Sequence, residues 1–318
     1  MIQIDTLNNN RIITIKNKSC IAKIALNIGN TLFALNINNK DCIYFPYSLS
    51  EYKTNNALAG IPLMHPWVNR IDGYNYSWND KLIDLKAYHS FIKKDANNLP
   101  LHGLLLKYEG WNHYPANDSD KSLVTFLDWD TSLPFFEAFP FKHRIEIEYK
   151  LLENGISISK KIINLSDSKI PISSGFHPYF KYDKKNIANI QLKLPVTNFF
   201  EADNKLIPNG KVLDCQSLIP SGVFFSINET PLDDVFETNS NISLVKLEDI
   251  QLLIETTNYP YLVVYTPKDR DYLCVEPVSS PTNVFQLYQN QLFDDIDILE
   301  KNTEKIYGIK ILEHQSIL

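Results

Sequence analysis

From His143 to Leu151 the chain alternates without a break. Ile145, Ile147, Tyr149 and Leu151 fall on one side, and Arg144, Glu146, Glu148 and Lys150 on the other. Successive side chains of a strand point to opposite faces, so this is the pattern of an antiparallel strand with one wet face. Gly155 reads as the turn that follows, and Ile156-Ser157-Ile158-Ser159 resumes the alternation, which makes the pair a hairpin. Further strands read at 11–15, 20–26, 31–37, 123–127, 250–255, 261–266, 271–276 and 305–312. They are short, rich in β-branched and aromatic residues, and bounded by Asn, Asp, Gly and Pro. No segment longer than about two turns carries a capped 3.6-residue period. Short strands without intervening helices imply an all-β fold, a sandwich or barrel of antiparallel sheets.

Nothing divides the chain. There is no internal repeat, low-complexity linker or shift in composition, and Asn8-Asn9-Asn10 reads as a turn former. Residues 1–318 therefore read as a single domain; large all-β domains often run to roughly 200–250 residues or more as one unit. At 44% hydrophobic, the chain has ample material for a sizeable core. The net charge is −6 and no basic block stands out, so no nucleic-acid partner is expected. Lys93-Lys94 and Lys184-Lys185 read as solvated loop pairs. No apolar run approaches the roughly 18 residues a membrane span needs, and the N-terminal residues lack the pattern of a secretory signal. Cys20, Cys42, Cys215 and Cys274 are irregularly spaced and form no C-x-x-C pair, so they read as small buried reduced thiols of a cytoplasmic protein.

The common cofactor and nucleophile signatures are absent. There is no G-x-G-x-x-G, phosphate loop, H-E-x-x-H, clustered His/Cys spacing or G-x-S-x-G. What remains is scattered. His177 lies in Ser174-Gly175-Phe176-His177-Pro178-Tyr179-Phe180, and Glu276 in Cys274-Val275-Glu276-Pro277. A histidine and a glutamate are the residue types that move protons near neutral pH, the histidine unaided and the glutamate when burial raises its pKa. Arg70, His102, Asp233 and Asp234 also stand out. Each has a structural reading too: a surface ion pair, a satisfied loop histidine, a glutamate that ends a strand before proline.

Taken together, the strings around these residues resemble one family. Pro66-Trp67-Val68-Asn69-Arg70-Ile71-Asp72-Gly73, Leu101-His102-Gly103 with Trp111 downstream, His177-Pro178-Tyr179-Phe180, Leu232-Asp233-Asp234-Val235-Phe236 and Glu276-Pro277 occur in order along nearly the whole chain. They are similar to the strings of the aldose 1-epimerases, or galactose mutarotases. The resemblance implies a single-domain antiparallel β-supersandwich that needs no metal or other cofactor and takes a small-molecule sugar, as a monomer or homodimer. It implies Glu276 as general base on the anomeric hydroxyl and His177 as general acid on the ring oxygen. It further implies Asn69, Arg70, His102 and Asp234 as residues that bind the sugar, with Trp67 or another aromatic offering an apolar face.

There are departures. Lys181-Tyr182 follows the histidine string where Asn-Leu is common, His65 stands where phenylalanine is common, and Gly73 comes one residue early. His65 reads as a core substitution, and the adjacent aspartates leave the sugar-binding one uncertain by a residue. Three other readings compete. A hexose-6-phosphate 1-epimerase would need cations for the phosphate, with Arg70, Lys268 and Arg270 as candidates. A glycoside hydrolase using Asp234 and Glu276 leaves His177 without a role. A non-catalytic sugar-binding protein on the same fold needs no acid and base at the reactive carbon.

Overall fold

The computed structural model describes residues 1–7, 9–79, 81–116 and 121–314. Asn8 of the expected Asn-rich turn and the last four residues, 315–318, lie outside these. Three antiparallel sheets make up most of the molecule. The first is an N-terminal meander, Ile2–Leu7, Asn10–Lys16, Cys20–Ala25, Thr31–Ile37 and Lys40–Asp41. The second has nine strands, with His143–Leu152, Gly155–Asn164, Glu304–Glu313 and Gln251–Thr257 at its centre. The third has eight, and its middle is built from Asp233–Thr238, Tyr261–Tyr265, Tyr272–Val278 and Gly175–Phe176.

The expected alternation is realised in full. Along His143–Leu152 every second residue is buried, from His143 through Ile145, Ile147 and Tyr149 to Leu151. Each fully buried Ile or Leu of such a row stabilises the fold by about 1.5–3 kcal/mol. Rows from all three sheets meet in one core, which joins Ile24 of the first, Ile147, Ile158 and Ile309 of the second, and Phe236 and Val264 of the third. The hairpin is present, but Gly155 is not its turn. Leu152 pairs with Gly155, so Glu153 and Asn154 make the turn. Glycine is needed at 155 because the neighbouring strand crowds it: a Cβ there would lie 2.0 Å from the Ile311 carbonyl oxygen.

Two α-helices, Leu49–Thr54 and Val284–Gln289, are six residues each, too short to leave a periodic signature. The first begins at a capping box, in which Ser48 and Glu51 bond each other's backbone N–H. No helix among the described residues is long and apolar enough to cross a membrane.

One core position breaks the pattern. Lys160 occupies the buried row of Gly155–Asn164 between Ile158 and Ile162. Its Nζ donates to Ser174 Oγ on the stretch that carries His177. It lies 4.8 Å from the ring centroid of Tyr307, 5.4 Å from Tyr259 and 5.5 Å from Phe176. Burial holds its pKa well below the ordinary lysine value.

Candidate active site

The eight-stranded sheet assembles the site by register. Asp233 pairs with Tyr265, and Tyr265 with Cys274; Val235 pairs with Val263, and Val263 with Glu276. Paired residues share a face, so these two rows project together on one side of the sheet. Cys274 also pairs with Tyr179, which sets the His177-Pro178-Tyr179 segment alongside this strand, with Tyr179 in the row of Cys274. The main chain of His177 is fixed by its N–H, which donates to the Pro62 carbonyl at 3.0 Å.

The two catalytic candidates meet there. His177 Nε2 is 3.3 Å from Glu276 Oε1, with both side chains almost fully buried. The Tyr179 hydroxyl is also 3.3 Å from that nitrogen, and the Tyr179 ring stacks on the imidazole with centroids 4.4 Å apart. His102 meets His177 edge to face at 4.9 Å between centroids. His177 Nδ1, His102 Nδ1 and Glu276 Oε2 are buried and have no protein partner.

Burial dominates the titration of the site. It lowers His177 to about 3 and holds His102 well below the ordinary histidine value. Glu276 is pushed well above the usual carboxylate range by burial and by the nearby Asp233 charge, with Arg70 opposing. A raised carboxyl beside a lowered imidazole means that burial favours the uncharged form of each group.

A cavity of about 360 Å³ opens above the pair, within the usual size range for small ligands. Asn69, Arg70, His102, His177 and Glu276, all singled out in the sequence, line it. Asn69 and His102 both take left-handed backbone conformations, with φ of 50° and 62°. The His102 N–H donates to the Asn69 carbonyl at 2.8 Å, so the two loops brace each other. Arg70 bonds Asp95 through Nε at 2.8 Å and Asn69 Oδ1 through a terminal nitrogen at 2.9 Å, and reaches Asp233 at 3.5 Å. Next to His102, Gly103 admits no side chain, since a Cβ there would lie 2.1 Å from the His65 carbonyl oxygen.

Two readings left open are narrowed here, and one is corrected. The aspartate on the cavity wall is Asp233, not Asp234. Asp234 pairs with Val264 in the row on the other face, and its carboxylate accepts from the Asp233 N–H. Trp67 is 1% exposed and belongs to the core, while the cavity's aromatic wall comes from Tyr44, Tyr47, Tyr265 and Tyr272. Lys93 is not a solvated loop residue: it lines the cavity and bonds the Asn56 carbonyl. Of the cations named for a phosphate, Arg70 and Arg270 line the cavity and Lys268 does not. A larger groove of about 1740 Å³ beside the N-terminal sheet holds none of the candidate acid–base or sugar-binding residues.

Comparison with known proteins agrees with this fold. The model of the family described as aldose 1-epimerase matches residues 11–306. A galactose mutarotase-like protein from Clostridium acetobutylicum superposes with a TM-score of 0.85 at 18% identity, covering 99% of this chain and 98% of that one. Galactose 1-epimerase from Lactobacillus acidophilus superposes at 0.76 and 16% identity, covering 99% and 98%. A putative aldose 1-epimerase from Escherichia coli superposes at 0.75 and 14%, covering 95% and 98%. The chain also aligns at 24% identity over 200 residues with a mitochondrial DNA mismatch repair protein MutS homolog of Sarcophyton glaucum. That alignment takes in 60% of the chain but spans only 20% of the length of that relative, and carries no family assignment. The fold is the galactose mutarotase-like antiparallel β-architecture, and the chain belongs to the aldose 1-epimerase family.

Proposed function

We propose that the protein is a cofactor-independent aldose 1-epimerase of the cytoplasm that interconverts the α and β anomers of a hexose, with Glu276 as base and His177 as acid. The observation that carries this is the 3.3 Å approach of His177 Nε2 to Glu276 Oε1 at a small-molecule cavity. Mutarotation needs a base on the anomeric hydroxyl and an acid on the ring oxygen, and the two must exchange roles for reclosure. The proposed cycle starts with one transferable proton, on the Glu276 carboxyl. Moving it from the Glu276 carboxyl to His177 creates carboxylate and imidazolium together, without exchange with solvent. The carboxylate then takes the proton of the anomeric hydroxyl while the imidazolium protonates the ring oxygen. The ring opens to the aldehyde, rotation about C1–C2 presents the other face, and reclosure reverses both transfers.

Arg70, Asn69 and His102 hydrogen-bond the sugar's oxygens, and Asp233 accepts from its hydroxyls. The tyrosine wall offers apolar faces to the ring. Holding acid and base around one hemiacetal removes most of the entropic cost of their meeting it. Polarimetry on freshly dissolved α-D-galactose and α-D-glucose, corrected for the spontaneous rate, tests the reading. Faster approach to an unchanged final rotation supports it and ranks the sugars. No acceleration by folded protein on either sugar rejects these two substrates.

One observation favours a second substrate class. Arg70, Lys93 and Arg270 all line the cavity. Three cations suit a hexose phosphate, so a preference for hexose 6-phosphate over free hexose in the same assay would select that version.

A further inference from the structure

The strand that carries Glu276 places a second potential ligand beside it. Cys274 lies two residues earlier on the same face, in the row of Tyr265 and Tyr179. A ring nitrogen of His177, the Cys274 sulfur and a Glu276 carboxylate oxygen lie within 4.8 Å of one another, and all three residues are buried. We propose that these three side chains form a site for a thiophilic divalent cation, zinc or cobalt, and that the bound cation blocks the acid–base pair.

The donor set is one that zinc takes: one nitrogen, one sulfur and one oxygen, with a fourth position left open. Tetrahedral bonds of about 2.0–2.3 Å put neighbouring ligand atoms about 3.3–3.6 Å apart. The nitrogen–oxygen pair already stands at 3.3 Å. The sulfur closes the remaining gap by moving about 1 Å, within reach of a change of χ1 on Cys274. Glu276 Oε2 has no protein partner, so the carboxylate can turn toward an ion without breaking a hydrogen bond. A water would complete the shell at the fourth position.

Binding requires the deprotonated thiolate and carboxylate, so the thiol proton of Cys274 and any proton on Glu276 leave to solvent. Affinity therefore rises with pH. The ion then occupies the nitrogen lone pair and the carboxylate that proton transfer requires. The blocking effect rests on the function proposed above; the binding site does not.

Cobalt(II) titration of the full chain separates the two. The wild type is expected to take up one equivalent and to show a near-ultraviolet thiolate-to-cobalt charge-transfer band with strong visible bands of low coordination number, all erased by added zinc. Cys274→Ser and Cys274→Ala, each confirmed folded by circular dichroism, are expected to lose the charge-transfer band, and His177→Asn to weaken binding. No band in the wild type, or the same band in Cys274→Ala, overturns the site. In polarimetry, zinc is expected to slow mutarotation reversibly with chelator, and Cys274→Ser to raise the inhibition constant by at least about tenfold. Bands without zinc inhibition of a working enzyme overturn the block and leave the site standing. Should no sugar turn over, the cobalt spectra alone decide the site.

Discussion

Two histidine pairs share this molecule, one sealed in the core and one at the floor of the cavity. His65 and His143 meet Nε2 to Nε2 at 2.9 Å, and the His143 ring stacks on Trp129. His143 Nδ1 lies 2.7 Å from the Phe141 carbonyl, which requires that nitrogen to carry the proton. His143 Nε2 is then the acceptor and His65 Nε2–H the donor, so the tautomers are locked. His102 and His177 are just as buried and just as disfavoured as cations. What separates the pairs is their third partner. The core pair closes on a backbone carbonyl, which cannot give or take a proton. The cavity pair closes on Glu276, which can, and all three residues line the cavity. Burial and a lowered pKa therefore do not distinguish a structural histidine from a working one; the titratable neighbour does.

The largest test of that distinction is catalytic. Glu276→Gln and His177→Asn are each expected to reduce turnover by roughly a hundredfold to ten-thousandfold while keeping the fold. His65→Phe is expected to leave the polarimetric rate within a few-fold of wild type. An equal loss in all three would erase the difference between the pairs.

The next effect is on stability. His143→Ala leaves the His65 N–H without an acceptor and opens a hole beside Trp129, and is expected to cost about 3 kcal/mol in urea unfolding. The double variant His65→Phe with His143→Leu removes both polar partners and is expected to recover most of that loss.

A pH series sharpens the comparison further. Burial lowers His143 to about 4 and His65 well below its ordinary value. The unfolded chain therefore binds protons that the folded core rejects. Stability is fully present above the unfolded histidine value of about 6.5 and is lost as pH falls toward the folded values. The double variant is expected to flatten that slope in urea midpoints measured across the window. A slope unchanged from wild type would mean that the core pair does not carry it.

The smallest effect separates the two faces of one strand. Asp233→Asn is expected to raise KM by roughly tenfold, and Asp234→Asn to leave KM near wild type. The reverse order would restore the residue that the sequence favoured.

Much of this was legible in the chain. The alternation at 143–151 announced its strand because period two survives any choice of partner. His177, Glu276, Arg70, His102 and Asn69 were found through short strings that the fold brings together. The choice between Asp233 and Asp234 stayed open in the sequence because adjacent residues of a strand point to opposite faces, and only pairing with Tyr261–Tyr265 decides which faces the cavity. The tyrosine wall was missed because Tyr44, Tyr47, Tyr265 and Tyr272 come from separate segments whose meeting is a tertiary event. Lys93 looked solvated because nothing local to a Lys-Lys pair reports the Asn56 carbonyl that receives it. The Cys274 cluster left no metal-like spacing because Cys274 and Glu276 are far from His177 in the chain.

Lys160 carries a consequence for the heat of folding. An unfolded lysine is protonated below about pH 10.4, while this one, sunk among Phe176, Tyr259 and Tyr307, has a pKa held well below that. Between those two values the chain sheds a proton as it folds, and the buffer must accept it. Calorimetric enthalpies in that range will therefore follow the ionisation enthalpy of the buffer, and the dependence will shrink when Lys160 is replaced by methionine.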